Sequence, residues 1–236
     1  MEIHKPKPIH NWREFLKEYA IIVLGVATAL AAEQAVEWLH WQSEVGAARK
    51  ALREEIATID GFYLRRIAIA PCIAKQEQEI KAILDGLDGK GKVALLSSFR
   101  NAVGLPMVDS EWQSQRSAQV LTHFPHAELA LMNRYYSVLP MMAATFDAES
   151  AAWSELSIFQ SPQNHLTPSD IARLRGQLNR AQRTEYGTIL FAYRMLKVSD
   201  QLGVSRPKIP SDYADRICSQ SEDQIEAGYL KDEMRP

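Results

Sequence analysis

Apolar positions first gather between Tyr19 and Ala32, a run of fourteen residues without a charge, bounded by Glu18 and Glu33. Beyond it they become periodic. Val45, Leu52, Ile56, Ile59 and Tyr63 fall at gaps of seven, four, three and four, close to the coiled-coil repeat. From Asn11, a suitable N-cap, nothing obliges the helix to stop before Pro71, which is expected to kink or end it. Gly46 and Gly61 weaken the pattern, so it predicts an amphipathic stalk packed on later helices rather than an isolated coiled coil.

"CIAKQEQEIKAILDG" resumes the helical period before the turn "DGLDGKGK", and a short helix is expected around Val93 to Ala102. The chain restarts at "DSEW", with Asp109 or Ser110 as cap. The segment "HFPHAELALMNRYYSVLPMMAATFDAESAAWSELSIF" is the longest apolar-periodic stretch outside the first run, with Pro140 as an expected kink. Thr167, Pro168 and Asp170 form the start of a further helix, with a variant capping box. That helix carries Leu174, Leu178, Ile189, Phe191 and Leu196 and should end at Gly203; a last one starts at Ser211. Strand-like alternation is absent. The expected fold is all-α: a long N-terminal transmembrane or stalk helix followed by an antiparallel helical bundle. Its expected parts are a flexible cytoplasmic tail (1–10), an anchor helix (11–41), a bundle that includes the stalk (42–230) and a disordered C-terminus (231–236).

The fourteen-residue run reaches only about 21 Å as a helix, short of a hydrocarbon core of about 30 Å. Its flanks extend it. Trp12 precedes the run, Trp38 and Trp41 follow it, and Trp12 to Trp38 spans about 39 Å, near the thickness of a bilayer with its headgroups. Trp12, Lys17, Trp38 and Trp41 are therefore the expected membrane-interface residues, with Arg13 and Lys17 reaching outward. Lys5, Lys7, Arg13 and Lys17 precede the run, whereas the next basic residue after it is Arg49. The positive-inside rule then puts the N-terminus in the cytoplasm and the rest outside, in the periplasm if the membrane is a bacterial inner membrane. Two alternatives stand beside the anchor. Ala29-Leu30-Ala31 has the form of a signal-peptide cleavage site, although Glu14 and Glu18 crowd the apolar start. A buried helix of a soluble core is the other.

The stretch W-R-E-F-L-K-E-Y-A-I-I-V-L-G-V-A-T-A-L-A-A-E-Q-A-V-E-W resembles the N-terminal anchor of a group of uncharacterised bacterial single-pass membrane-anchored helical proteins, a domain-of-unknown-function group. "DSEWQSQRSAQVL" followed by "LALMNRYYSVL" resembles the later part of the same group. The likeness covers about fifty residues. It implies a single-span, mostly helical protein and carries over no catalytic residue.

Composition narrows the function little. A chain of 236 residues with a formal charge of −2 has no electrostatic bias toward nucleic acid. Cys72 and Cys218 are its two cysteines: unrelated buried thiols in a reducing compartment, a candidate disulfide in an oxidising one. His123 and His126 flank Pro125, which spoils the turn a helical metal pair needs, so they read as solvated. Hydrolase elbows, phosphate loops and Glu-x-x-His di-iron motifs do not occur. Arg173, Arg175, Arg180 and Arg183 make a basic face, which reads as solvated, with anionic headgroups as the other reading. Gly25, Ala29 and Ala32 share a narrow side of the anchor and could pack a second helix. Trp112, Tyr135, Tyr136 and Trp153 are expected in the core. No catalytic, cofactor-binding or metal residue is assigned. The expected partners are membrane lipid and another protein or a second copy. The expected role is assembly, scaffolding or sensing through protein contacts; the alternative is a soluble or secreted helical enzyme or ligand-binding protein.

Overall fold

The structure is a computed structural model and describes residues 12–87, 95–96, 99, 108–161 and 166–219. The expected tail (1–10), the C-terminal segment 231–236 and most of the expected helix around Val93 to Ala102 lie outside these residues. Among the described residues six α-helices follow in order: α1 (Trp12–Gly86), α2 (Ser110–Ser117), α3 (His126–Tyr136), α4 (Leu139–Leu156), α5 (Pro168–Gln201) and α6 (Tyr213–Ser219). Short 3-10 turns stand before α3 and after α4. There is no strand among the described residues, and the fold is all-α, a long N-terminal helix followed by a helical bundle.

α1 holds 75 residues and continues through Pro71; of the kink or end expected there, the end does not occur. Proline removes the amide that would bond to the carbonyl of Ile67. The stripe on either side offsets that loss: Arg66, Ile69, Ile73, Gln76, Glu77 and Ile80 are all buried, and tertiary packing of such a face outweighs a local defect. Pro140 also differs from expectation. The chain turns at Ser137 and Val138, and Pro140 occupies the first turn of α4, where its missing amide costs no helical bond.

Long-range contacts fix the directions. Asp85 meets Arg175, Arg66 meets Glu185 and Asp60 meets Ser199, so α5 lies antiparallel to α1. Glu155 meets Arg173 and Glu149 meets the same arginine as Glu185, so α4 is antiparallel to α5 and parallel to α1. α5 begins at the expected capping box: the Asp170 amide donates to Thr167 Oγ1 at 3.2 Å and the Thr167 amide to Asp170 Oδ2 at 3.0 Å. It ends at Gly203, whose φ of +67° favours glycine. There the Gly203 amide donates to Asp200 O and the Val204 amide to Ser199 O, closing a Schellman motif.

Two apolar clusters fill the bundle. One gathers Val45 to Tyr63 of α1 with Trp112, Tyr135, Tyr136, Met142, Phe146 and Met195. The other gathers Ile69 to Leu84 with Ala152, Trp153, Phe159, Leu174 and Leu178. The four expected core aromatics are all buried. On α1 the break between the clusters falls at Arg66.

Candidate functional site: buried charge layers along the long helix

The register of α1 puts a cation in the core. Counting on from Ile59 and Tyr63 by three reaches Arg66, which is 1% exposed. Its Nη2 donates to Glu149 of α4, equally buried, and to Glu185 of α5. Glu77, three turns further along the same face, is buried as well. Both carboxyl groups accept from the one nitrogen, so they lie side by side, and Oε2 of Glu149 and Oε1 of Glu185 are buried with no donor. One guanidinium thus meets two carboxyl groups at a sealed crossing of α1, α4 and α5, and it is the cation that acts on the third, Glu77, at longer range. If all ionised, two negative charges would stay uncompensated where solvation is poor. Burial is the main cause that raises all three carboxyls above their ordinary range, and it pushes Glu77 and Glu185 up to about 7.

A second layer lies one and a half turns nearer the N-terminus. Asp60 has no exposure, and its carboxylate accepts from Tyr135 Oη at 2.8 Å, from Ser199 Oγ and from Arg206 Nε at 3.0 Å. Burial raises its pKa, while the three donors oppose that rise. Burial and the nearby Asp60 charge raise the Tyr135 hydroxyl in turn, keeping it a donor. Arg206 belongs to the strap that follows α5 and also pairs with Asp200 at 2.7 Å. The strap crosses α1 at Gly61, where a Cβ would stand 2.8 Å from Pro207 Cγ. Only a glycine admits that approach without a shift of the proline ring.

A third carboxylate, Glu55, caps α2. It accepts from the amides of Glu111 at 2.8 Å and Trp112 at 3.3 Å and from Ser110 Oγ at 3.2 Å. Asp109 occupies the N-cap position and makes no side-chain cap bond.

The residues expected from sequence are distributed as follows. Trp12, Lys17 and Trp38 lie on the exposed part of α1, as do Gly25, Ala29 and Ala32. A Cβ on Gly25 would meet nothing within 4 Å. Every residue from Trp12 to His40 is exposed. Trp41 is half-buried instead, packs against the first apolar cluster and stacks on His123 with ring centroids 3.7 Å apart. It marks where the bundle begins. His126 opens α3, and no group of three His, Cys, Asp or Glu side chains is placed to hold a metal ion among the described residues. Cys72 and Cys218 are brought together, joined by a disulfide with a Cα–Cα separation of 5.9 Å, which suits such a bond. Arg173 pairs with Glu155 and Asp170, Arg175 with Asp85, and Arg180 and Arg183 are exposed.

Nothing in the sequence pattern alone singled out Arg66, Glu77, Glu149, Glu185 and Asp60 as a site. Their signal was a charged residue in register with an apolar stripe: Glu149 follows Met142 and Phe146, and Glu185 follows Leu174, Leu178 and Ala181. Open cavities also mark the surface of the described residues. One of about 470 Å³ has Trp112, Arg116, Asn133 and Tyr136 in its lining; another, of about 330 Å³, has Arg49, Lys50 and Arg53. No protein-family model, curated protein or solved structure matches the chain.

Proposed function

We propose that α1 crosses a bacterial inner membrane once, with its N-terminus cytoplasmic, and displays the helical bundle in the periplasm as an assembly, scaffold or sensory partner acting through protein contacts. The observation that carries this reading is the exposure of all of α1 from Trp12 to His40. A core helix of a soluble protein would be covered by its own fold. This segment includes the one stretch long and apolar enough to cross a membrane among the described residues, and none of that stretch is buried. As a helix it measures about 43 Å, a match to hydrocarbon plus headgroups. The unbroken helix through Ala29-Leu30-Ala31 into the buried stripe supports retention of the segment over cleavage as a signal. The Cys72–Cys218 bond suits an oxidising compartment. The likeness of the first run to single-pass membrane-anchored helical proteins points the same way.

A phosphatase that is active only outside the cytoplasm, fused after Pro236, tests the topology. Activity is expected, with loss when Lys5, Lys7, Arg13 and Lys17 are moved to the far flank of the run. An inactive fusion to a stably made chain would refute the orientation.

A further inference from the structure

The apolar core of the bundle is divided by a charged layer, and its chemistry has a consequence for the protons the fold carries. Arg66 of α1, Glu149 of α4 and Glu185 of α5 meet there, and Tyr63 and Glu77 of α1, the Trp153 indole of α4 and Thr188 of α5 are polar groups buried along the same helices. Arg66 is the only cation among them. Its ion pairs go to Glu149 and Glu185, and Glu77 has none among the described residues. Two ionised carboxylates are acceptors only and cannot hydrogen-bond each other. Glu149 and Glu185 crowd onto one nitrogen of Arg66 with an undonated buried oxygen on each, and one positive charge balances only one of them, so the pair calls for a shared proton, as in other paired-carboxyl sites. Glu77, buried with no counter-ion of its own, requires another.

We infer that the crossing of α1, α4 and α5 is a proton-binding site: the bundle folds with one proton shared by Glu149 and Glu185 over Arg66 and one held by Glu77, and its stability follows ambient pH. The next layer, Asp60 with Arg206, Tyr135 and Ser199, has its own cation and is not part of the site. The direction follows from linkage. Both Glu77 and Glu185 lie near 7 when folded and near the ordinary 4.3 when unfolded. Their contribution is complete below about pH 4, decays as pH rises and is gone above about pH 7. In that window each retained proton makes the unfolding constant climb about tenfold per pH unit. Proton binding concerns the bundle alone; its use as a sensor of the outside pH rests on the periplasmic placement proposed above.

The test is urea unfolding of the full-length chain in detergent micelles from pH 5 to pH 8, followed by tryptophan fluorescence, for wild type and Glu77→Gln. Glutamine mimics the protonated acid. Between about pH 5 and pH 7 the wild-type unfolding constant should climb with pH and the variant's about tenfold less per pH unit, the two slopes converging above pH 7. Asp60 and the histidines are common to both chains and drop out of the difference. A wild-type constant that is flat with pH, or two superimposable profiles, overturns the proposal and leaves the membrane reading untouched. Should Glu77→Gln fail to fold, protons counted on unfolding the wild type at pH 6 in weak buffer decide. Release of at least one proton supports the site; none, or uptake, overturns it.

Discussion

Arg206 Nε lies 3.0 Å from Oδ2 of Asp60, so a side chain of the strap after α5 neutralises a carboxylate with no exposure on α1. The pairing closes the bundle: the strap joins the C-terminal end of α5 to the disulfide-tied α6. Arg206→Met should leave Asp60 with only Tyr135 and Ser199 as partners. Because Arg206 keeps 24% exposure, the loss should fall at the low end of the range for a broken buried pair, about 3 kcal/mol. Asp200→Asn removes the more exposed partner of Arg206 and should cost under about 1 kcal/mol. Urea midpoints of the two variants in micelles give the comparison, and equal losses would mean that Asp60 is not the partner that matters.

Two glycines of α1 should respond with opposite signs to the same substitution. Gly46→Ala meets nothing within 4 Å and should stabilise by up to about 1 kcal/mol through helix propensity. Gly61→Ala puts a Cβ 2.8 Å from Pro207 Cγ and should destabilise by about 1–3 kcal/mol, as overpacking does. Adding Pro207→Ala to Gly61→Ala should restore part of that loss, which a double-mutant cycle measures.

Glu55→Ala removes the acceptor of two amides and a hydroxyl at the start of α2. Its expected cost is about 1–2 kcal/mol, the scale of a lost helix cap. Asp109→Ala should cost less, because Asp109 makes no cap bond. Amide exchange over 110–117 should rise in the first variant and stay near wild type in the second.

Reduction of the Cys72–Cys218 bond opens a loop with a sequence separation of 146. Loop-closure entropy sets the loss at about 5 kcal/mol as an upper bound. Because no residue of α6 is buried, that helix should become the first site of proteolysis after reduction. Protein made in an oxidising compartment should shift on a gel when reduced, and free thiols in such protein would count against the bond.

How much was legible in sequence follows from which interactions are local. The stripe from Val45 to Tyr63, the Thr167–Asp170 capping box and the Gly203 end depend on near neighbours, and each stands where the pattern placed it. Pro71 does not end its helix and Pro140 does not sit inside one, because the outcome at a proline is decided by what surrounds it: a buried stripe carries the helix through the first, and a tight turn places the second in a first turn. The polar layers were unreadable as a site for the same reason. Glu149 and Glu185 lie 83 and 119 positions from Arg66, and each of the three alone resembles a surface residue on a helix. Glu55 as the cap of α2 is 56 positions from the amide it bonds most closely, beyond any local motif.

The claim on which the cellular account depends is that lipid surrounds α1 between Trp12 and His40, and the intact mass of the chain in alkaline-carbonate-washed membranes tests it most directly. Detergent extraction of those membranes should yield the uncut chain of 26.7 kDa. Recovery of the chain in the carbonate wash, or of a membrane-free product beginning after Ala31, would contradict it.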